Sequence, residues 1–254
     1  MRKIYELESN DIVPVPLEVL ILQKMTERSL SPRIMRTMDD AFGIFKKLAR
    51  PCGLLEAFSA DDFPDLYQGK GLNEADCPVP SIVARSTATA LMAATLGEAP
   101  AVKCSELFAE GSTLLGYMLN AVCSAASERL GHRLCHLFFS HLCSEPREFD
   151  SIKVQYYCPG HCGWHISGQE KLFTALRPEE IGMSLGENWV MRPFKSISGI
   201  LVAAPLDVHR FRQLFSSCPK CRDRKCVERL ELLEMETAEA IERQNNFDKT
   251  QVKD

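Results

Sequence analysis

The residues best suited to chemistry lie in two stretches of the 254-residue chain. The first, Cys218-Pro-Lys-Cys221-Arg-Asp-Arg-Lys-Cys226, sets three thiols in C-x2-C-x4-C spacing. Two cysteines separated by two residues can close a turn around one metal ion, and a third placed soon after can reach the same ion. Lys220, Arg222, Arg224 and Lys225 would favour thiolates and offset their charge. A tetrahedral zinc site or an iron–sulfur cluster needs a fourth ligand, and this segment holds none. Cys158 or Cys162 could supply it if the fold joins the two stretches. The plainer reading is three reduced thiols on a basic linker.

The second stretch runs from Tyr156 to Gln169 and reads YYCPGHCGWHISGQ. Pro159 fixes φ, and Gly160 lets backbone approach a ligand with no Cβ in the way. This is the composition of a turn that holds a ligand against backbone, with Cys158 and His161 beside it. Tyr156, Tyr157 and Trp164 offer flat surfaces, although ordinary sheet packing accounts for any one of them. Cys158 and Cys162 are spaced too widely to make a strong metal motif alone, with His161 and His165 as further donors. A Cys162–His165 nucleophile pair is the weakest option. Such pairs are usually assembled from distant positions, and a third orienting group is lacking.

Other chemistry-bearing residues are more scattered. His132 and His136 share a helix face at i, i+4 near Glu128, Arg129 and Arg133, where a solvated face is the plainer account. Glu187, in SLGENW, falls in a predicted strand and faces either solvent or a ligand. Cys52, Cys77, Cys104, Cys123, Cys135 and Cys143 stand among apolar neighbours and read as small core residues.

Helical and extended elements must position these groups. Apolar spacing predicts helices over 17–30 and 32–50, the second capped by Ser31 with Pro32 at its first position. Residues 51–80 read as a long ordered connection, and a helix is predicted from Pro80 to about Gly97. A long helix follows over 112–142, with Leu115, Met118, Leu119, Val122, Ala126 and Leu130 in one stripe and Gly116 and Gly131 as weak points. IKVQYY alternates as a half-buried strand does. SGQEKLFTALRPEEIG is a helix with Gly182 just past its end, and MSLGENWVMRP and SISGILVAAP read as two more strands. A short helical piece, LDVHRFRQLF, leads to the cysteine motif, and a charged helix follows from Val227 to about Gln244. Helices first and mixed elements later imply an α+β fold. The expected organisation is a helical part over 1–110, an α+β core over 111–215 and a cysteine-containing tail over 216–254.

Composition narrows the function classes. A net charge of −4 argues against general nucleic-acid binding, which relies on lysine and arginine to neutralise phosphates. No apolar run is long enough to cross a bilayer, and the first residues, MRKIYELESND, lack the apolar core of a secretory signal. A cytoplasmic protein with reduced thiols is expected, although its eleven cysteines are many for that compartment. No GxGxxG or Walker A sequence is present.

Taken in order, these pieces resemble the activation domain of cobalamin-dependent methionine synthase, in its stand-alone bacterial form. The matching segments are CPGH (158–161), GQEKLF (168–173), EEIGMSLGEN (179–188) and KSISGI (195–200). Upstream, GSTLLGYMLNAVCSAASERLGHRL is similar to the family's long helix, and PCGLLEAFSADDFPDLYQGKGLN to the first part of free-standing members. The resemblance implies a twisted antiparallel sheet flanked by helices, with S-adenosylmethionine in a shallow groove. It implies a reactivation role for a corrinoid-dependent methyltransferase or methionine synthase that carries the cobalamin, served by a flavodoxin-type or ferredoxin-type electron donor. An accessory module that binds a corrinoid protein, a metal or an iron–sulfur cluster without S-adenosylmethionine chemistry is the alternative. The family's helix glutamate corresponds to Glu128, and Gly186-Glu187-Asn188 replaces its Thr-Glu-Ser. Its turn arginine and tyrosine correspond to Tyr156 and His161. A tyrosine cannot form the bidentate charged pair that arginine makes with a carboxylate.

Overall fold

The computed structural model describes residues 1–23, 25, 31–143 and 151–210. Its centre is a five-stranded sheet built from β1 (Arg2–Glu6), β2 (Cys52–Phe58), β3 (Ala88–Thr95), β4 (Ile152–Tyr157) and β7 (Ser196–Pro205). The order is β1-β2-β3-β7-β4, and every neighbouring pair is antiparallel. A second, two-stranded sheet pairs β5 (Ser184–Leu185) with β6 (Met191–Arg192).

Successive side chains of a strand point to opposite faces, so the large sheet can bury both. Along β3, Ala90, Met92 and Ala94 enter one apolar cluster, and Leu91 and Ala93 enter the other. The first face is covered by α1 (Pro16–Leu22), α2 (Pro32–Leu48), α5 (Ala99–Ala109) and α6 (Thr113–Cys143). The second is covered by α3 (Phe63–Gln68), α4 (Val79–Ala84) and α7 (Gly168–Leu176), with the β5–β6 hairpin beside them. Side chains such as Phe45, Leu55, Met92 and Leu119 are completely buried. Each contributes about 1.5–3 kcal/mol relative to exposure.

The long helix α6 lies where the spacing of apolar residues places it. Met118, Leu119, Val122, Ala126 and Leu130 are all buried. Its glycines are points of close approach rather than weak points. A Cβ at Gly116 would press on Leu107 and Phe108, and one at Gly131 would lie 3.0 Å from the Tyr156 ring. Ser31 caps α2 as its sequence predicts, its Oγ accepting from the Ile34 N–H at 3.3 Å.

Several elements differ from expectation. The predicted helix from Pro80 to Gly97 is a short helix, α4, followed by the strand β3. ATALMAAT is buried on both faces, so its polar–apolar pattern carries no period to separate strand from helix. Residues 51–80, read as connection, contain β2 and α3. β2 is likewise an interior strand, and Pro51 and Gly53 mask it in the sequence. Three of the five strands therefore come from the first half of the chain. MSLGENWVMRP is a hairpin, and Glu187 lies in the 3-10 turn Glu187–Trp189 instead of in a strand. The α7 helix ends at Leu176, where Arg177 turns left-handed, and a short 3-10 turn continues to Gly182. Of the expected core cysteines, Cys104, Cys123 and Cys135 are buried, Cys52 and Cys77 are partly buried, and Cys143 is exposed. Among the described residues no helix is long and apolar enough to cross a membrane.

Candidate functional site

The site forms where β4 ends and β7 begins. After Tyr157 the chain folds into consecutive turns: His161 N–H donates to the Cys158 carbonyl, Trp164 N–H to that of His161, and Gly160 N–H to that of Trp164. Positive φ is needed at Gly160 (95°), Cys162 (52°) and Gly163 (83°). Gly160 meets this need without steric cost, whereas Cys162 carries a Cβ in a region that L-residues rarely occupy. Trp164 anchors the loop from below. It is buried against Phe63, with ring centroids 5.5 Å apart, and against Tyr67. Its indole is therefore a core group and not a ligand platform. The neighbouring His165 N–H is held by Asn73 Oδ1 at 2.8 Å.

Above this anchor lies a pocket of about 280 Å³. Helix α6 contributes Ser124, Ser127 and Glu128, which share a face by their i, i+3, i+4 spacing. The turn contributes Cys158, Pro159, His161 and Cys162, and Lys195 enters from the start of β7. Tyr156 crosses from β4 to α6, where its hydroxyl donates to Glu128 Oε2 at 2.7 Å. Its ring packs on Gly131 and meets His132 edge-on at 5.6 Å. Lys195 Nζ donates to Ser124 Oγ at 2.8 Å. On the floor, the buried Ser198 hydroxyl donates to Gln169 Oε1 at 2.6 Å. Gly199 lets β7 close against β4, because a Cβ there would run into the Tyr157 carbonyl oxygen and lie 3.0 Å from Cys158 Sγ.

The fold thus brings Glu128, Tyr156, Cys158 and His161 around one cavity, with Cys162 beside them and Gly160 in the same loop. Glu187 is exposed in its own turn and is not a lining residue. Sequence reasoning missed Lys195, Ser124, Gln169 and Ser198. The helical spacing of Ser124 with Glu128 was a legible signal, but nothing marks Lys195, which precedes a strand like any exposed lysine.

Titratable groups outside the cavity lining are tuned by burial and by each other. The thiols of Cys104 on α5 and Cys123 on α6 are hydrogen-bonded to each other, and this lowers the first and raises the second. Burial raises Cys123 further, and the nearby charge of Lys195 favours both thiolates. On the opposite face of β4, Tyr157 bonds His209 Nδ1 at 2.8 Å. His209 is fully buried in α8 (Leu206–His209), and burial lowers its pKa below the ordinary value.

Among the described residues no group of three or more His, Cys, Asp and Glu side chains could hold a metal ion. Cys158, Cys162, His161 and His165 form no such site among themselves. His132 is partly buried beside Tyr156 and His136 is exposed. Cys218, Cys221 and Cys226 lie outside the described residues, as does the charged helix predicted after them.

The architecture defines an α+β class in which one antiparallel sheet is enclosed by helices on both faces. It is the fold of the MetH reactivation domain. A crystal structure of that domain bound to AdoHcy is similar to this chain with a TM-score of 0.58, covering 81% of this chain and 79% of that one. The sequences are 14% identical, so the likeness is one of fold. No family model and no curated protein matches the chain.

Proposed function

We propose that this protein binds S-adenosylmethionine in the pocket beside Cys158–His161 and acts as a separate reactivation protein for a corrinoid-dependent methyltransferase. The observation that carries this reading is a pocket holding both a carboxylate and an ammonium group, set on the fold of a domain crystallised with AdoHcy. S-adenosylmethionine supplies an electrophilic methyl group on a positively charged sulfonium. The residues fit such a ligand. Glu128 draws its positive charge and Tyr156 holds that carboxylate in place. The turn at Pro159 and Gly160 lets backbone lie close to the ligand, while Cys158 and His161 border it. The partner carries the corrinoid, and a flavodoxin-type or ferredoxin-type protein supplies the electron. In the same proposal Cys218, Cys221 and Cys226 supply three thiolate ligands to a zinc ion or an iron–sulfur cluster, and Cys158 or Cys162 is the candidate for the fourth.

Calorimetric titration of anaerobically purified protein with S-adenosylmethionine tests the reading. Saturable binding is expected, weakened about tenfold in Glu128→Gln, the loss of one charge-assisted contact. No heat at millimolar ligand would overturn it. The engagement of Glu128 by Tyr156 would then favour the second reading, an accessory module that holds a corrinoid protein without methyl-donor chemistry.

A further inference from the structure

We propose that Lys195 is the anion-binding residue of the pocket and takes the carboxylate of an amino-acid ligand end. This rests on the binding reading above and assigns the polarity of that site.

Among the described residues that line the pocket, Lys195 is the one lysine or arginine and Glu128 the one carboxylate. Their positions are tied to the same helix. Lys195 Nζ donates to Ser124 Oγ, whose own hydroxyl proton goes to the Asn120 carbonyl at 3.0 Å. Ser124 is therefore an acceptor set to receive the ammonium. Glu128 stands one turn further along α6, a rise of about 5–6 Å. The two charges thus mark the ends of a slot that suits a ligand carrying both signs. Lys195 is also held from behind. Its carbonyl accepts the Leu96 N–H at 3.1 Å, and its ammonium lies 5.3 Å from the Phe194 ring centroid. The nearby arginines are committed elsewhere or face outward. Arg129 pairs with Glu18 at 2.9 Å, and Arg192 is exposed outside the lining. A lysine at this place interacts with a carboxylate as a point charge, so it needs no planar fork geometry.

The slot also predicts which ligands bind. S-adenosylmethionine and S-adenosylhomocysteine carry the carboxylate. Decarboxylated S-adenosylmethionine keeps the sulfonium, the adenosine and the amine but lacks it. The comparison between ligands with and without this group isolates the carboxylate's contacts, and the Lys195 variants assign them.

The experiment titrates wild type and Lys195→Gln with S-adenosylmethionine and with its decarboxylated analogue, with thermal melting to show that the variant is folded. Wild type is expected to prefer the carboxylated ligand by about tenfold or more, as a charge-assisted contact requires. Lys195→Gln is expected to bind the two ligands equally, and Lys195→Arg to restore part of the preference. Equal binding by wild type, or an undiminished preference in Lys195→Gln, overturns the assignment of Lys195 and leaves the binding reading standing. Absence of binding of either ligand to wild type overturns both. Should Lys195→Gln fail to fold, Lys195→Ala takes its place: no preference in wild type, or an undiminished one in folded Lys195→Ala, counts against the assignment.

Discussion

The hydrogen bond from Tyr156 to Glu128 ties the sheet to the long helix in the pocket lining, and its strength can be bounded. Tyr156 is 3% exposed, so its hydroxyl has exchanged water for the carboxylate. Glu128 is partly buried, and the bond length is 2.7 Å. Hydrogen bonds to charged groups contribute about 1.5–3 kcal/mol, and the partial exposure of Glu128 places this one near the lower figure. Tyr156→Phe keeps the ring against Gly131 and His132 and removes the hydroxyl alone. Glu128→Ala removes the acceptor. A double-mutant cycle of the two, read by urea unfolding at neutral pH, is expected to give a coupling of about 1.5 kcal/mol. In a fold of this size each kcal/mol moves the melting temperature by about 2–4 °C, so Tyr156→Phe should melt roughly 3–6 °C lower. Effects that add to within about 0.3–0.5 kcal/mol would refute the reasoning. The contact would then be one of geometry without energetic weight, and Glu128 would not be held by Tyr156.

Three further outcomes are expected. Gly199→Ala should destabilise the protein by roughly 3 kcal/mol, the upper range for overpacking, because its Cβ meets the Tyr157 backbone and not a movable side chain; a urea midpoint unchanged from wild type would contradict the close approach of β4 and β7. Burial holds His209 neutral in the folded protein, so the unfolded chain binds the extra proton as pH falls below about 6.5. The stability it supports is complete above that value and is lost below it, and His209→Asn should flatten unfolding free energy measured over roughly pH 5 to 8; an unaltered slope would show that other groups set it. Finally, Cys221→Ser should reduce bound zinc or iron, measured by elemental analysis, to background; unchanged metal content would remove the C-x2-C-x4-C segment from the site.

The sequence by itself determined the elements that have a readable period. The stripe on α6, the alternation of IKVQYY and the Ser31-Pro32 start of α2 each reflect one buried face and one wet face, and a local pattern is enough to reveal that. It also marked Cys158–His161 as a turn, because proline and glycine act through their own backbone. Only the tertiary structure decided that ATALMAAT and CGLLEAF are strands. Both are covered on two sides, so no contrast between faces survives in the sequence, and long-range pairing settles a choice that local preference leaves open. The site shows the same division. Glu128 and Tyr156 could be named singly, but their contact at 28 residues' separation depends on the missing side chain at Gly131. Lys195 became visible only when β7 set it against Ser124, since the charge of a lysine says nothing about its direction until packing fixes it.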